Sequence, residues 1–594
     1  MKQDLHRTIT NINQLLIKLL TIYKQAYSND NHTLATIGKS FNRFLNILPN
    51  FADIQIILES LEKITTSPEQ IITLQKKFIQ QHSKIYSQTI GSIPTTIIEE
   101  NNYFIYLTKT YKLLQKFWLK IIDVIPDCTI EQKNRLKFYY HNMLSSYAPQ
   151  NFLHINPELL FSTIENIGKN IFNSIESYLQ DIIANDGFFN IKNTDFAAFN
   201  IGENLATTPG KVVFKNDLME LIKYYPTTKK VYRTPILLIP PCINKYYILD
   251  LSEKNSLVKW LVNQGFLVYI ISWVNPNETL HHKTFSDYIL DGPLQAINQI
   301  NKLDNCHHVH LVGYCIGGTF LGCLLSYMQQ LKDDRAISAT HFMSLLDFTE
   351  LGNLGGLINE SSIHFLENLI NKQGYLDGRL LNMVFSSLRS NDLIWPYIVN
   401  YYLLNKPLKP FDILYWNADV THVPATMYNF YLRELCLNNK LIIPNQITVN
   451  GVGIDLAKVT TPIFSLAGET DHITLWQAVY SGAKLYRNSN VEFVLANLGH
   501  IKGLLSSPLE QDSRHAFRVN SLLPKNSDVW LASSKQHNGS WWNYWVKWLT
   551  NIDAKQITYS NSPNKISHST LNNAPGTYVL KKIGNINYLK SGAI

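Results

Sequence analysis

Gly313-Tyr314-Cys315-Ile316-Gly317-Gly318 stands between a short apolar run, 309–312 (Val-His-Leu-Val), and a stretch, 319–328, that reads as a helix. Strand, tight glycine-rich turn and helix in that order predict a nucleophile elbow, in which a strained turn lifts one side chain above a sheet. Gly313 and Gly317 let strand and helix approach closely, and residue 315 takes a backbone conformation that few neighbours would tolerate. The residue at such a turn is usually Ser; here it is Cys. A thiolate is a strong nucleophile, and exchanging one thioester for another is nearly isoenergetic, so a thiol suits acyl-thioester chemistry. Taken alone, G-x-C-x-G fits a buried Cys in a strand-to-helix turn equally well.

Two later segments supply partners in the order nucleophile, acid, histidine, as in an α/β-hydrolase. Residues 461–468 read as a buried strand ending in Glu469-Thr470-Asp471-His472, and 491–495 as another, followed by Asn497-Leu498-Gly499-His500. Acids just beyond the C-terminal ends of strands lie on the face where open parallel sheets place their sites. Cys315 and Asp471 are 156 residues apart, room for an inserted lid; Asp471 and His500 are 29 apart, room for one helix and one strand. Asp471 is preferred to Glu469 because it stands further past the strand. His500 is preferred to His472, because His472 adjoins the acid and sequence neighbours rarely face one another. His472 is read as packing behind the site or facing substrate.

Composition changes near residue 200. Residues 1–200 hold four glycines and helical-period runs at 104–124 and 159–183, which predicts an all-helical N-terminal domain whose first ~80 residues are poorly specified. Apolar runs at 235–239, 267–272, 309–312, 339–345, 462–466 and 491–495 alternate with helical stretches, predicting a mostly parallel sheet with helices on both faces. The catalytic core is therefore expected over 201–350 and 451–594. Between them, 351–450 is an aromatic-rich insertion with Trp395, Tyr397, Tyr401, Tyr402, Phe411, Tyr415 and Trp416. It is read as a cap or lid that excludes water, against the plainer alternative of a helical insertion that only packs on the core. Trp541, Trp545 and Trp548 recur at helical spacing, with Trp542 beside them, and read as core packing.

The chain has 594 residues, 45% hydrophobic, 12% aromatic and only 16% charged, with a net charge of +8. No Lys/Arg run suggests a nucleic-acid groove, and the mild positive charge is at most a weak pointer to an anionic ligand. No stretch reaches 18 apolar residues, so no transmembrane span is expected, and no cleavable signal is expected at the N-terminus. Six cysteines (128, 242, 306, 315, 323 and 436) form no disulfide framework and suit a reducing cytoplasm. Neither C-x₂-C, H-E-x-x-H nor G-x-G-x-x-G before a helix occurs, so no metal or redox cofactor is expected.

Several longer stretches resemble the polyhydroxyalkanoate synthases, bacterial enzymes that polymerise 3-hydroxyacyl-CoA into storage polyester. They include P-P-C-I-N-K-Y-Y-I-L-D-L at 240–251, S-W-V-N-P at 272–276, the Cys elbow, N-D-L-I-W at 391–395 and F-D-I-L-Y-W-N at 411–417. D-H-I at 471–473, G-H-I at 499–501, G-S-W-W at 539–542 and A-P-G-T-Y-V at 574–579 fit as well. The resemblance covers roughly residues 85 to 580 and implies an α/β-hydrolase fold with an inserted cap and a Cys315–Asp471–His500 triad. It also implies an oxyanion site built from the backbone N–H of Ile316 and of either Cys242 or Ile243. Length and motifs look most like class I, which favours short-chain substrates such as 3-hydroxybutyryl-CoA and needs no second subunit. The CoA thioester is then substrate rather than cofactor. A homodimer, granule-coat partners and a place on cytoplasmic polyester granules are further implications. Rival readings are a thioesterase or acyltransferase with the same triad, or an inactive granule scaffold.

Overall fold

Six of the apolar runs form the parallel centre of a ten-stranded sheet. The computed structural model describes residues 68–90, 100–126, 128–184, 191–509, 514–559 and 571–583. The described residues divide into two compact units, one drawn from 68–195 and 383–409, the other from 196–382 and 410–583.

In the first unit, α1 (Pro68–Thr89), α2 (Glu100–Val124), α3 (Ile130–Ser146), α4 (Pro157–Glu165) and α5 (Lys169–Ala184) carry the helical pattern. Thr129 and Gln132 close a capping box on α3, and Asn156 caps α4 ahead of Pro157. The run 159–183 is two helices rather than one, because Ile167 and Gly168 take positive φ (51° and 73°) and end the first. Within the insertion, 383–409 belongs to this unit. Tyr402 donates to Asp181 (2.8 Å) and meets the Tyr178 ring edge-on, and Asn170 donates to the Leu403 carbonyl (3.0 Å). Most of the poorly specified first ~80 residues lie outside the described ones.

The second unit holds the sheet. Its strands are β1 (Gly210–Lys215), β2 (Met219–Tyr224), β3 (Ile236–Ile239), β4 (Val268–Trp273), β5 (Val309–Tyr314), β6 (Ala336–Phe342), β7 (Ile463–Gly468), β8 (Val491–Ala496), β9 (Ala516–Val519) and β10 (Lys535–Asn538). They lie in the order β1-β2-β4-β3-β5-β6-β7-β8-β9-β10. Pairing is parallel from β4 through β8 and antiparallel at both edges. Every residue of β3, β4 and β5 is buried, as expected of parallel strands covered on both faces. Strand β6 begins earlier than its apolar run and stops at Phe342. There Met343 turns to φ 45° while its N–H donates to the Leu466 carbonyl.

Helix α6 (Leu257–Asn263) joins β3 to β4, and α7 (Ile316–Gln330), buried from Ile316 to Met328, follows β5. Next come α8 (Asp412–Ala418) in the insertion, α9 (Trp476–Ala483) between β7 and β8, and α10 (Trp541–Ile552) after β10. Trp541, Trp542 and Trp545 of α10 are buried in the main core, with Trp548 packed against it. Among the described residues no helix is long and apolar enough to cross a membrane.

Candidate active site

The elbow is as tight as its glycines imply. Cys315 sits between β5 and α7 at φ 53°, ψ −126°, a region that L-residues rarely occupy, and its N–H donates to the Phe342 carbonyl (2.9 Å). A Cβ on Gly313 would lie 2.5 Å from the Gly318 Cα, and one on Gly317 would lie 2.1 Å from the Ile239 carbonyl oxygen. Either substitution would push strand and helix apart. The Cys315 side chain is partly exposed.

Asp471 and His500 follow β7 and β8, which pair in parallel, so both emerge at the same edge of the sheet. His500 Nδ1 is 2.7 Å from Asp471 Oδ2. That contact leaves Nε2 for another partner, and Cys315 is close enough to His500 to act on it electrostatically. Asp471 is buried, and both of its oxygens are occupied. Oδ1 accepts from the Ile473 and Thr474 N–H groups (2.8 and 3.0 Å), and Oδ2 accepts from Thr474 Oγ1 (2.7 Å) as well as from His500. Burial would raise the Asp471 carboxyl, but the imidazole and the Thr474 donors outweigh it and hold it below the usual range. Burial likewise disfavours charge on His500, yet Asp471 and Cys315 together lift it to about 10. The Tyr314 ring packs on the imidazole with centroids 5.3 Å apart.

The stripe of tryptophans supports the segment after His500. Trp541 Nε1 donates to the Gly503 carbonyl (2.7 Å) and Trp542 Nε1 to that of Leu504 (2.9 Å). Glu469 is exposed, its N–H used on the Ala496 carbonyl (2.7 Å), and does not compete with Asp471. His472 lies half-buried beside the acid and takes no part in the Asp471–His500 bond.

Cys242, Ile243 and Ile316 are all buried. Burial pushes the Cys242 thiol well up, and Cys315, close enough to interact, adds to the shift, so Cys242 is held neutral beside the elbow. Tyr428 and Tyr431 of the insertion lie within electrostatic reach of Cys242, and Tyr431 of Cys315 as well. This part of the insertion therefore stands close to the thiol.

Two polar residues absent from the sequence reading belong to this neighbourhood. Thr474 touches both Asp471 and His500 (3.3 Å to Nδ1). Thr421 Oγ1 lies 2.8 Å from the Cys242 carbonyl and 2.7 Å from that of Ile243. A D-x-x-T pattern after a strand was an available signal for Thr474; nothing local marked Thr421. Among the described residues, one group of three could hold a metal ion: His307, His308 and Asp334, whose ligand atoms lie within 4.8 Å of one another. It sits beside the start of β5, at the end away from Cys315.

Residues 95–261 match the family model "Poly-beta-hydroxybutyrate polymerase (PhaC) N-terminus", and 235–504 match the alpha/beta hydrolase fold. The chain is 36% identical to a poly(3-hydroxyalkanoate) polymerase of Methylorubrum extorquens over 533 residues, 87% of each chain. It is 34% identical to the poly(3-hydroxyalkanoate) polymerase subunit PhaC of Rhizobium etli, over 82% of this chain and 75% of that one. For the corresponding subunit of Cupriavidus necator the identity is 32% over 543 residues, 88% of this chain and 91% of that one.

Proposed function

The chain belongs to the poly(3-hydroxyalkanoate) polymerase family, and we propose that it polymerises (R)-3-hydroxyacyl-CoA, 3-hydroxybutyryl-CoA first among them, through a covalent thioester on Cys315. The observation that carries this reading is the buried Asp471–His500 hydrogen bond placed within electrostatic reach of Cys315 at a strained elbow. His500, raised by Asp471, holds the proton that the Cys315 thiol gives up, and the thiolate attacks the acyl carbonyl of the CoA thioester. The resulting oxyanion collapses, the bond to CoA sulfur breaks, and the proton on His500 leaves with CoA as free thiol. In the second half, the 3-hydroxyl of another acyl unit gives its proton to His500 and attacks the Cys315 thioester. An ester forms, the carbon–sulfur bond breaks, and the proton returns to the Cys315 sulfur.

Asp471 orients His500 and stabilises its cation. Its two oxygens already accept four hydrogen bonds, which favours this role over direct deprotonation of the incoming hydroxyl. Water would divert the acyl-enzyme to hydrolysis, and the insertion's aromatic side chains near the thiol suit its exclusion. The reading requires no resident metal or redox group. It carries with it a homodimer, growing polyester as product and contact with granule-coat proteins on cytoplasmic granules.

The test is to supply 3-hydroxybutyryl-CoA, follow free CoA with a thiol reagent and weigh the insoluble product, with Cys315→Ala alongside. Matching CoA and polyester, both lost in the variant, is the expected result. CoA release with only free 3-hydroxybutyrate would make the protein a thioesterase and overturn the polymerase reading.

A further inference from the structure

The loop after β3 is gripped by α8 and the stretch that follows it. Trp416 Nε1 donates to the Lys245 carbonyl (2.7 Å). Asp419 pairs with Lys245 Nζ (2.7 Å) and accepts from the Tyr247 hydroxyl (3.0 Å), all three side chains being buried. Val420 bridges to Asn244. Thr421, 2% exposed, reaches furthest toward the elbow. Its hydroxyl donates to both the Cys242 and Ile243 carbonyls, and its N–H donates to the Ile243 carbonyl (3.3 Å).

The peptide plane converts those bonds into a direction. The Cys242–Ile243 bond is trans, so its C=O and N–H point to opposite sides. With the Cys242 carbonyl turned to Thr421, the Ile243 N–H faces away from it. Among the described residues neither the Ile243 N–H nor the Ile316 N–H has a protein acceptor. Both residues are buried, and a buried donor without a partner is costly unless a ligand supplies one. The loop also starts against the elbow, since the Ile239 and Pro240 carbonyls lie beneath Gly317.

We propose that Thr421 is a positioning residue that sets the oxyanion site: by holding the Cys242 carbonyl it turns the Ile243 N–H toward the acyl oxygen on Cys315, where it acts with the Ile316 N–H. The inference rests on the reading that Cys315 is acylated. It selects Ile243 over Cys242 as donor, and it makes the insertion part of the catalytic geometry rather than only a cover.

Thr421→Val keeps the shape and removes the hydroxyl; Thr421→Ser keeps the hydroxyl. With 3-hydroxybutyryl-CoA, the Val variant should lose about 10- to 100-fold in kcat with KM little changed, and Ser should recover most of it. The pH midpoint of kcat should stay in place, because Asp471 and His500 are untouched. If the Val variant does not fold, Thr421→Ala against Thr421→Ser carries the same contrast. Wild-type kcat in the Val variant, an effect on KM alone, or a displaced pH midpoint would each overturn the inference. A Cys315→Ala protein that still releases CoA would overturn the acyl-enzyme reading, and this inference with it; an inactive Cys315→Ala beside a fully active Thr421→Val would overturn this one alone.

Discussion

Two histidine–carboxylate contacts of nearly equal length flank β5. At its start, His307 Nε2 is 2.6 Å from Asp334 Oδ1; beyond its end, at the edge that carries Cys315, His500 Nδ1 is 2.7 Å from Asp471 Oδ2. The first pair is 61% and 79% exposed, the second 7% and 0%. Water screens the outer pair and competes for both partners, so a short distance there implies little energy. Around the inner pair water is largely excluded, and each charge depends on the other. His500 is raised and Asp471 lowered against the burial that opposes both ionised forms. Burial, rather than contact length, separates the Asp471–His500 pair from the surface ion pair.

The largest effect should come from the thiol that completes the inner pair. Cys315→Ala should reduce CoA release by about 10⁴-fold or more, read by thiol titration, while leaving the Asp471–His500 contact in place. Asp471→Asn keeps the shape but removes the charge and the tautomer control. It should cost about 10² to 10⁴ in kcat, and a near-normal rate would break the comparison by showing the inner pair to be no more than structural.

Stability should show the same contrast with a defined pH window. The raised His500 contributes fully below the unfolded value of about 6.5 and loses that contribution as pH rises through about 10. The lowered Asp471 contributes above the unfolded value of about 3.9 and loses it as pH falls through its depressed folded value. In urea unfolding, Asp471→Asn should therefore be less stable than wild type by about 3 kcal/mol between about pH 4 and 6.5, with the gap narrowing on either side. A gap independent of pH would remove the electrostatic account. The smallest effect belongs to the outer pair. Asp334→Asn should leave both CoA release and the thermal midpoint at wild-type values, and a fall in either would show that exposure had been given too much weight.

Much of the site was legible because its signals are local. The elbow needs a strand, small residues at fixed offsets and a helix, all within about twenty residues. The acid and histidine were found by their places just past apolar runs, and the tryptophan stripe by its helical period. Legibility failed where distant segments meet. The antiparallel strands β1, β9 and β10 are only partly buried and lack a continuous apolar run, and in the wholly buried β2 the apolar run is broken by Glu220 and Lys223. The break at Ile167-Gly168 left the hydrophobic period almost undisturbed while turning the backbone. Placing 383–409 with the N-terminal helices depends on Tyr402 meeting Asp181, 221 positions away in the chain.

The sequence by itself determined which thiol stands at the elbow and in what order acid and histidine follow, because strand ends and tight turns are written in neighbouring residues. Only the tertiary structure decided that Thr474 joins Asp471 to His500, that both Asp471 oxygens are occupied, and that Thr421 holds the carbonyls of Cys242 and Ile243. The reason is physical. Periodicity reports which face of an element is buried, whereas the direction of a peptide plane is set by hydrogen bonds from a segment 179 residues away.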